Sequence, residues 1–394
     1  MTRNVFVAGV GMIPFAKPGA SAHYDEMGAQ AISQALEDAG LSYADVQQAY
    51  AGYVYGDSTC GQAALYRVGL SGVPVVNVNN NCATGSSALF LARQAVQSGA
   101  VDCAIAVGFE EMQPGALASH WDDRPRAMSR TLAMVEHIQP DCELPGAIRM
   151  FAGAGLAHME KYGTKLETFA KIRAKASRHA ANNPLAIFRK VVTPEEVLAA
   201  PAVWEGVLTR LMACPPTCGA AAAIVVSEEF ARKRGLRTDV FIAGQAMTTD
   251  KPDAFDNPSM IELVGVGMTK SASQAVYEQA GIGPDDIDVI ELHDCFAQNE
   301  LLTYEGLGLC KEGEGEQLVN DGDNTYGGKW VVNPSGGLLS KGHPLGATGL
   351  AQCYELVHQL RGTAGDRQVP GAKVALQHNL GLGGACVVTA FKKA

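Results

Sequence analysis

Four side chains have the types and settings that thiol chemistry requires: Cys82, His293, Cys295 and His343. Cys82 stands in Asn79-Asn80-Asn81-Cys82-Ala83-Thr84-Gly85, between a β-branched apolar run and an Ala-rich stretch of helical character. At the start of a helix a cysteine meets unpaired N–H groups and the positive end of the helix dipole, and both favour the thiolate. The small residues behind it leave room for a substrate, although this segment alone also fits a buried structural cysteine. His293 and Cys295 lie two apart in Glu291-Leu292-His293-Asp294-Cys295-Phe296, at the exit of an apolar strand. Strand ends are where α/β sheets present ligand sites. Asp294 reads as a residue that orients this loop and not as a proton carrier. His343 sits among glycines 336, 337, 342, 346 and 349, which allow a ligand close to the backbone, and Pro344 delays the helix that follows.

A cysteine nucleophile needs a base beside it, usually histidine. A second acid/base must serve the other reactant, and an oxyanion needs donors in a water-poor pocket. The four residues make up that set if the fold brings them together. The segment from Asn379 to Gly384 follows an apolar run and could lend a bare backbone N–H to the oxyanion.

The elements that must do this positioning alternate between β-branched runs and helical stretches, the pattern of an α/β fold. Strands are expected at 5–10, 73–78, 103–107, 220–226, 240–245, 288–292, 373–377 and 385–391. Helices are expected at 24–39, 86–97, 269–280, 299–307 and 350–360. Residues 112–210, richer in helices and proline-containing loops, read as an insertion. Ala83-Thr84-Gly85 and Ala347-Thr348-Gly349 both stand before a helix and then a strand. This echo points to two related halves, each presenting a reactive side chain at a helix start.

The chain has 394 residues, 47% hydrophobic and 18% charged, with 44 glycines, which suits a well-buried protein of more than one core. Its formal charge of −10 argues against nucleic-acid binding, and no apolar run reaches the length of a membrane span. Ten scattered cysteines without a secretory leader read as reduced thiols. Cys214 and Cys218 are spaced like half a metal site, but no second pair matches, and no metal is expected. Between Lys161 and Lys190 stand eight basic residues and one acid. This local +7 is either a solvated helix face or an anion site.

Asn79 to Gly85, His293-Asp294-Cys295-Phe296 and Gly342 to Gly349 resemble the signature segments of sterol carrier protein x-type 3-oxoacyl-CoA thiolases. So do Gly56 to Gln62, His158 to Thr164, Gly322 to Trp330 and Val369 to Asn379, so the similarity spans nearly the whole chain and is poorest over 126–147. The resemblance implies a thiolase fold, two related α/β halves forming a five-layer αβαβα core with an inserted loop domain. The halves are expected at 1–111 with 211–255 and at 256–394, with the coenzyme A-contacting insertion at 112–210. Lys161, Lys171, Arg173, Lys175 and Arg178 become candidates for the CoA phosphates.

Carried over by position, Cys82 accepts the acyl group and His343 activates it. His293 joins His343 in one oxyanion hole, and the N–H groups of Cys82 and Gly381 form the other. Ordinary thiolases carry a second catalytic cysteine near the C-terminus, where this chain has Asn379, and the resemblance moves that role to Cys295. Cys386, in the closing strand, is set aside. The implied activity is reversible thiolysis of 3-oxoacyl-CoA by CoA, giving an acyl-CoA plus acetyl-CoA or propionyl-CoA. CoA is a substrate and no cofactor is tightly bound. A homodimer or dimer of dimers is expected.

Phe391-Lys392-Lys393-Ala394 is not a Ser-Lys-Leu-type address. A cytoplasmic location is expected, with peroxisomal or mitochondrial placement left open. A condensing ketosynthase and a non-catalytic or aldolase-like relative are the alternatives. A dinucleotide-binding reading of Gly9-Val10-Gly11 fails, because Pro14 follows where a phosphate-binding helix should start.

Overall fold

A computed structural model describes residues 3–113, 121, 123–140 and 142–394. Ten strands form its main sheet: β1 (Val5–Met12), β2 (Gln48–Gly52), β3 (Val75–Val78), β4 (Cys103–Glu110), β5 (Gly219–Ser227), β6 (Val240–Thr248), β7 (Val289–Glu291), β8 (Val331–Val332), β9 (Val374–Gly381) and β10 (Ala385–Lys393). Their spatial order is β8-β7-β9-β10-β6-β1-β5-β4-β2-β3. Cut between β6 and β1, this gives two five-stranded sets with one topology. In each, the third, second and fourth strands run parallel, and the fifth and first continue antiparallel. Strand pairing joins the two sets at one position, Phe6 opposite Phe241.

The repeat moves one expected boundary. The sequence reading expects residues 240–248 in the first half, yet β6 pairs with β10 from Val240 to Thr248 and with β1 at that single position. The division therefore falls between β5 and β6, ahead of residue 255. Pairing partners at opposite ends of a half leave no local mark on β6 itself.

Five layers result. Helix α1 (Tyr24–Ala39) covers one face of the first sheet, while α2 (Thr84–Gln97) and α7 (Thr348–Arg361) lie between the two sheets. Helices α5 (Val266–Ala280) and α6 (Ala297–Gly306) cover the far side of the second. Strand β1 is buried along its whole length, as its continuous apolar run requires. Gly9 and Gly11 serve this packing. A Cβ at either would fall 2.3 Å from a carbonyl oxygen of α1, that of Ala35 or Ala31. The Gly-x-Gly pair thus seats a helix and cradles no phosphate.

The segment 112–210, of which 114–120, 122 and 141 lie outside the described residues, contributes α3 (Gly146–Tyr162) and α4 (Leu166–Ala181). Both pack against α6 of the second half. Helix α4 turns two of its cations inward. Lys175 is buried against the Glu300 carboxylate, and buried Arg173 donates to Ser340 Oγ at 2.7 Å. Neither presents charge to solvent, which corrects their candidacy for the CoA phosphates. Lys161, Lys171 and Arg178 are exposed.

The two repeated Ala-Thr-Gly segments are the first turns of α2 and α7. They touch through glycine: a Cβ on Gly85 would lie 2.6 Å from the Gly346 carbonyl, and one on Gly349 2.2 Å from Ser86 Oγ and 2.3 Å from Ser86 N. Gly349→Ala is expected to lower stability by about 1–3 kcal/mol, since well-packed surroundings must move. Gly283→Ala, whose new Cβ would meet nothing closer than 4.0 Å, should change it by less than about 0.5 kcal/mol. Urea denaturation of both variants checks the contrast.

Candidate active site

The Cys82 loop is built from its own hydrogen bonds. Asn81 takes a left-handed φ of 49°, which asparagine tolerates better than most residues. Asn80 N donates to Thr84 Oγ1 at 2.8 Å, and that hydroxyl donates to the Asn81 carbonyl at 2.6 Å. Asn81 Nδ2 reaches across to the Leu382 carbonyl at 2.7 Å, tying the loop to the β9–β10 turn. A Cβ on Gly381 would fall 2.1 Å from the Asn80 carbonyl, so glycine lets that turn lie against the loop. Gly381 therefore stands beside Cys82, where an oxyanion donor would be needed.

The loop 333–347 is held from beneath by buried acids. Glu291 accepts from Ser335 N and Oγ and from Lys341 Nζ, the last at 3.1 Å. Asp294 accepts from Leu338 N at 2.7 Å and Leu339 N at 3.4 Å, which is the loop-orienting role expected of it. Burial, with Glu300 nearby, pushes its carboxyl up to about 8. Glu110, at the end of β4, accepts from Val54 N, Tyr55 N and Gly346 N, and so clamps the loop to the first half. Burial pushes it up to about 7.

These supports bring the nucleophile and base candidates together. Cys82 Sγ and one ring nitrogen each of His293 and His343 all lie within 4.8 Å of one another. Ligand atoms that close could also grip a cation, but the same closeness serves proton transfer. The two rings meet edge to face, with centroids 5.0 Å apart. Both Nε2 atoms are buried without a partner among the described residues.

The partner of His343 Nδ1 decides where its proton sits. The Thr348 hydroxyl donates to the Pro344 carbonyl at 2.9 Å and lies 2.7 Å from His343 Nδ1. With the hydroxyl donating there, its oxygen accepts from Nδ1–H, an arrangement that leaves Nε2 as a bare base. Burial, with Lys341 adding to it, holds His343 at about 3, so the ring is neutral at pH 7. Burial also pushes the Cys82 thiol up to about 12, against a downward pull from its own N–H and that of Leu382. The pair therefore rests as thiol and imidazole at pH 7.

Cys295 is buried beside Cys214, whose N–H donates to the Cys295 carbonyl at 2.8 Å. Burial drives its thiol well up, and charge on Cys214 or Cys82 would add to the rise. The sequence reading missed Cys214 as a neighbour of the site; the two residues are joined through an isolated antiparallel bridge, Ala213 with Phe296. Cys218 points elsewhere, toward the Met112 carbonyl. Cys386 lies in the core near Thr269 Oγ1, at 3.7 Å. Thr348 and Glu110 were also missed, because only their contacts reveal them.

Comparison with known proteins now adds the family. "Thiolase, N-terminal domain" matches residues 5–229, and "Thiolase C-terminal domain-like" matches 254–391. Sterol carrier protein 2 of Oryctolagus cuniculus is 56% identical over 393 residues, covering 99% of this chain and 72% of that protein. An acetyl-CoA acetyltransferase of Methanothermobacter thermautotrophicus is 33% identical over 99% of this chain and 100% of its own. Among solved structures, the Ltp2-ChsH2(DUF35) aldolase superposes with a TM-score of 0.84 at 22% identity, covering 100% of this chain and 98% of that one, a likeness of fold. Both halves of the repeat are matched, and each brings its own helix start to the shared site: the chain belongs to the thiolase family.

Proposed function

We propose that the chain is an acyl-CoA acyltransferase that cleaves 3-oxoacyl-CoA with CoA through an acyl-Cys82 intermediate. The observation that carries this reading is the meeting of Cys82 Sγ with one nitrogen each of His293 and His343 within 4.8 Å. His343 Nε2 takes the thiol proton as Cys82 Sγ attacks the 3-oxo carbon. The Cα–Cβ bond then breaks, leaving the acyl group on sulfur and a carbanion on the departing acyl-CoA. Cys295 supplies the proton to that carbanion, which leaves as acetyl-CoA, or as propionyl-CoA from a 2-methyl substrate. Free CoA gives its thiol proton to the Cys295 thiolate and takes the acyl group, and the departing Cys82 sulfur regains its proton from His343. The acetyltransferase name of a 33% identical relative supports the CoA-linked class. Cys295 favours cleavage over a condensing ketosynthase, which needs no second thiol.

The oxyanion in this scheme is held in two places. His343, once protonated, and His293 face one carbonyl oxygen, and the N–H groups of Cys82 and Gly381 serve the acyl-enzyme. The exposed cations Lys161, Lys171 and Arg178 remain for the CoA phosphates. The chain acts as a homodimer or dimer of dimers, and the open edge at β3, where Val76 is 40% exposed, offers a surface for a second copy.

Three measurements test the reading. Cys82→Ala should keep the fold and lose thiolysis of acetoacetyl-CoA; full activity there would sink the assignment. Cys295→Ala should still exchange the acetyl group between acetyl-CoA and labelled CoA, which needs no carbanion, while thiolysis falls by about 10²–10⁴, the range for a general acid. Equal loss of both would remove Cys295 from its role. Because burial raises the Cys82 thiol, its iodoacetamide alkylation should climb with pH to a midpoint at or above about 8.5, the value of a free thiol. A midpoint near 6 would show a standing thiolate–imidazolium pair instead.

A further inference from the structure

We propose that Asn379 is a positioning residue that fixes His293 in its Nε2–H form, aiming a proton donor into the space beside Cys82. The inference rests on the proposed thiolysis only for its catalytic consequence; the proton's place follows from hydrogen bonds alone.

The chain of bonds starts at Gln377. Its Nε2 donates to the Gly349 carbonyl at 2.7 Å and to Ser86 Oγ at 2.7 Å. A backbone carbonyl only accepts, so this end of the amide is its nitrogen. Gln377 Oε1 is left without a partner, and turning the amide over would set oxygen against the Gly349 oxygen. Having accepted from Gln377, the Ser86 hydroxyl donates to Asn379 Oδ1 at 2.8 Å. The other end of Asn379, Nδ2, then faces His293 Nδ1 at 3.1 Å. An amide nitrogen only donates. His293 Nδ1 must therefore be bare, and the ring proton sits on Nε2. The four side chains are buried to 1% exposure or less, so no bulk water competes for these bonds.

The consequence is that the two histidines are set oppositely. His343 shows a lone pair at Nε2 because Thr348 takes its Nδ1 proton, whereas His293 shows a proton at Nε2 because Asn379 fills its Nδ1 lone pair. One ring accepts the Cys82 proton; the other already donates to the oxyanion. Burial, with His343 and His378 adding to it, holds His293 well below the usual imidazole range, so the donor is a neutral ring whose tautomer matters.

The test reads the ring directly. Full-length protein labelled with ¹⁵N-histidine, with the His293 signals assigned by their loss in His293→Gln, should show a protonated Nε2 and a bare Nδ1. Asn379→Asp places an acceptor at Nδ1 and should move a proton onto that atom. In the same variant kcat should fall by about 10²–10³ near pH 8, as for loss of one oxyanion donor, with KM within about threefold. Activity should recover partly as pH falls and His293 gains its second proton. Asn379→Leu should lose kcat at every pH. A wild-type His293 protonated at Nδ1 overturns the proposal even if neither variant folds, as does an Asn379→Asp protein with unchanged ring protons. Wild-type protein without thiolysis would remove the proposed function, and the nitrogen spectra would still decide the tautomer.

Discussion

The distance between the first turns of α2 and α7 governs everything else at the site. Cys82 belongs to the entry of one helix and His343 to the entry of the other, and no chain connection closer than 260 residues relates them. Backbone contact is possible only because Gly85, Gly346 and Gly349 lack side chains. At that separation the positive ends of two helix dipoles come together, a favourable setting for negative charge. Larger residues there would separate nucleophile from base before they disturbed either helix.

Beneath this contact lies a layer of buried charge. Glu291 and Glu300 pair with Lys341 and Lys175; Asp294, raised to about 8, is protonated at pH 7 near Arg173; and all six are almost fully buried. Such groups add little net stability as a set, while removing one partner from a buried pair costs about 3–5 kcal/mol. Their effect is to hold the loop 333–347 in one place: Glu291 grips Ser335 and Lys341, Asp294 caps the turn at 337–340, and Arg173 reaches Ser340. The inserted segment therefore reaches the chemistry through its inner cations.

Much of this was legible in the sequence. Periodicity placed most strands and helices, and helix α1 matches its expected limits of 24–39, ended by Gly40 in a left-handed conformation. The tripeptide echo marked two equivalent helix starts, because both must begin with small residues where they touch. What could not be read depends on distant partners. Strand β8 is only two residues long and is defined by its neighbour β7. Arg173 and Lys175 carry the same charge as Lys171 and Arg178, and charge does not say which stripe of a helix faces inward. Residues seven apart, as the latter two are, share one stripe, and here it is the outer one. The histidine tautomers depend on bonds such as Ser86 to Asn379, between residues 293 apart.

Phe6 with Phe241 is the single strand-pairing position between the two five-stranded sets, and it is α2 against α7 that brings the two helix starts together. The candidate active site lies at this contact and not in a hollow within either half. Each half has its own sheet and outer helix, so a slight parting of the two helix starts would leave secondary structure intact while separating sulfur from imidazole. Loss of the proposed activity on heating or in denaturant would then run ahead of loss of structure, and turnover would report the fit of the halves more sensitively than any spectrum of the backbone.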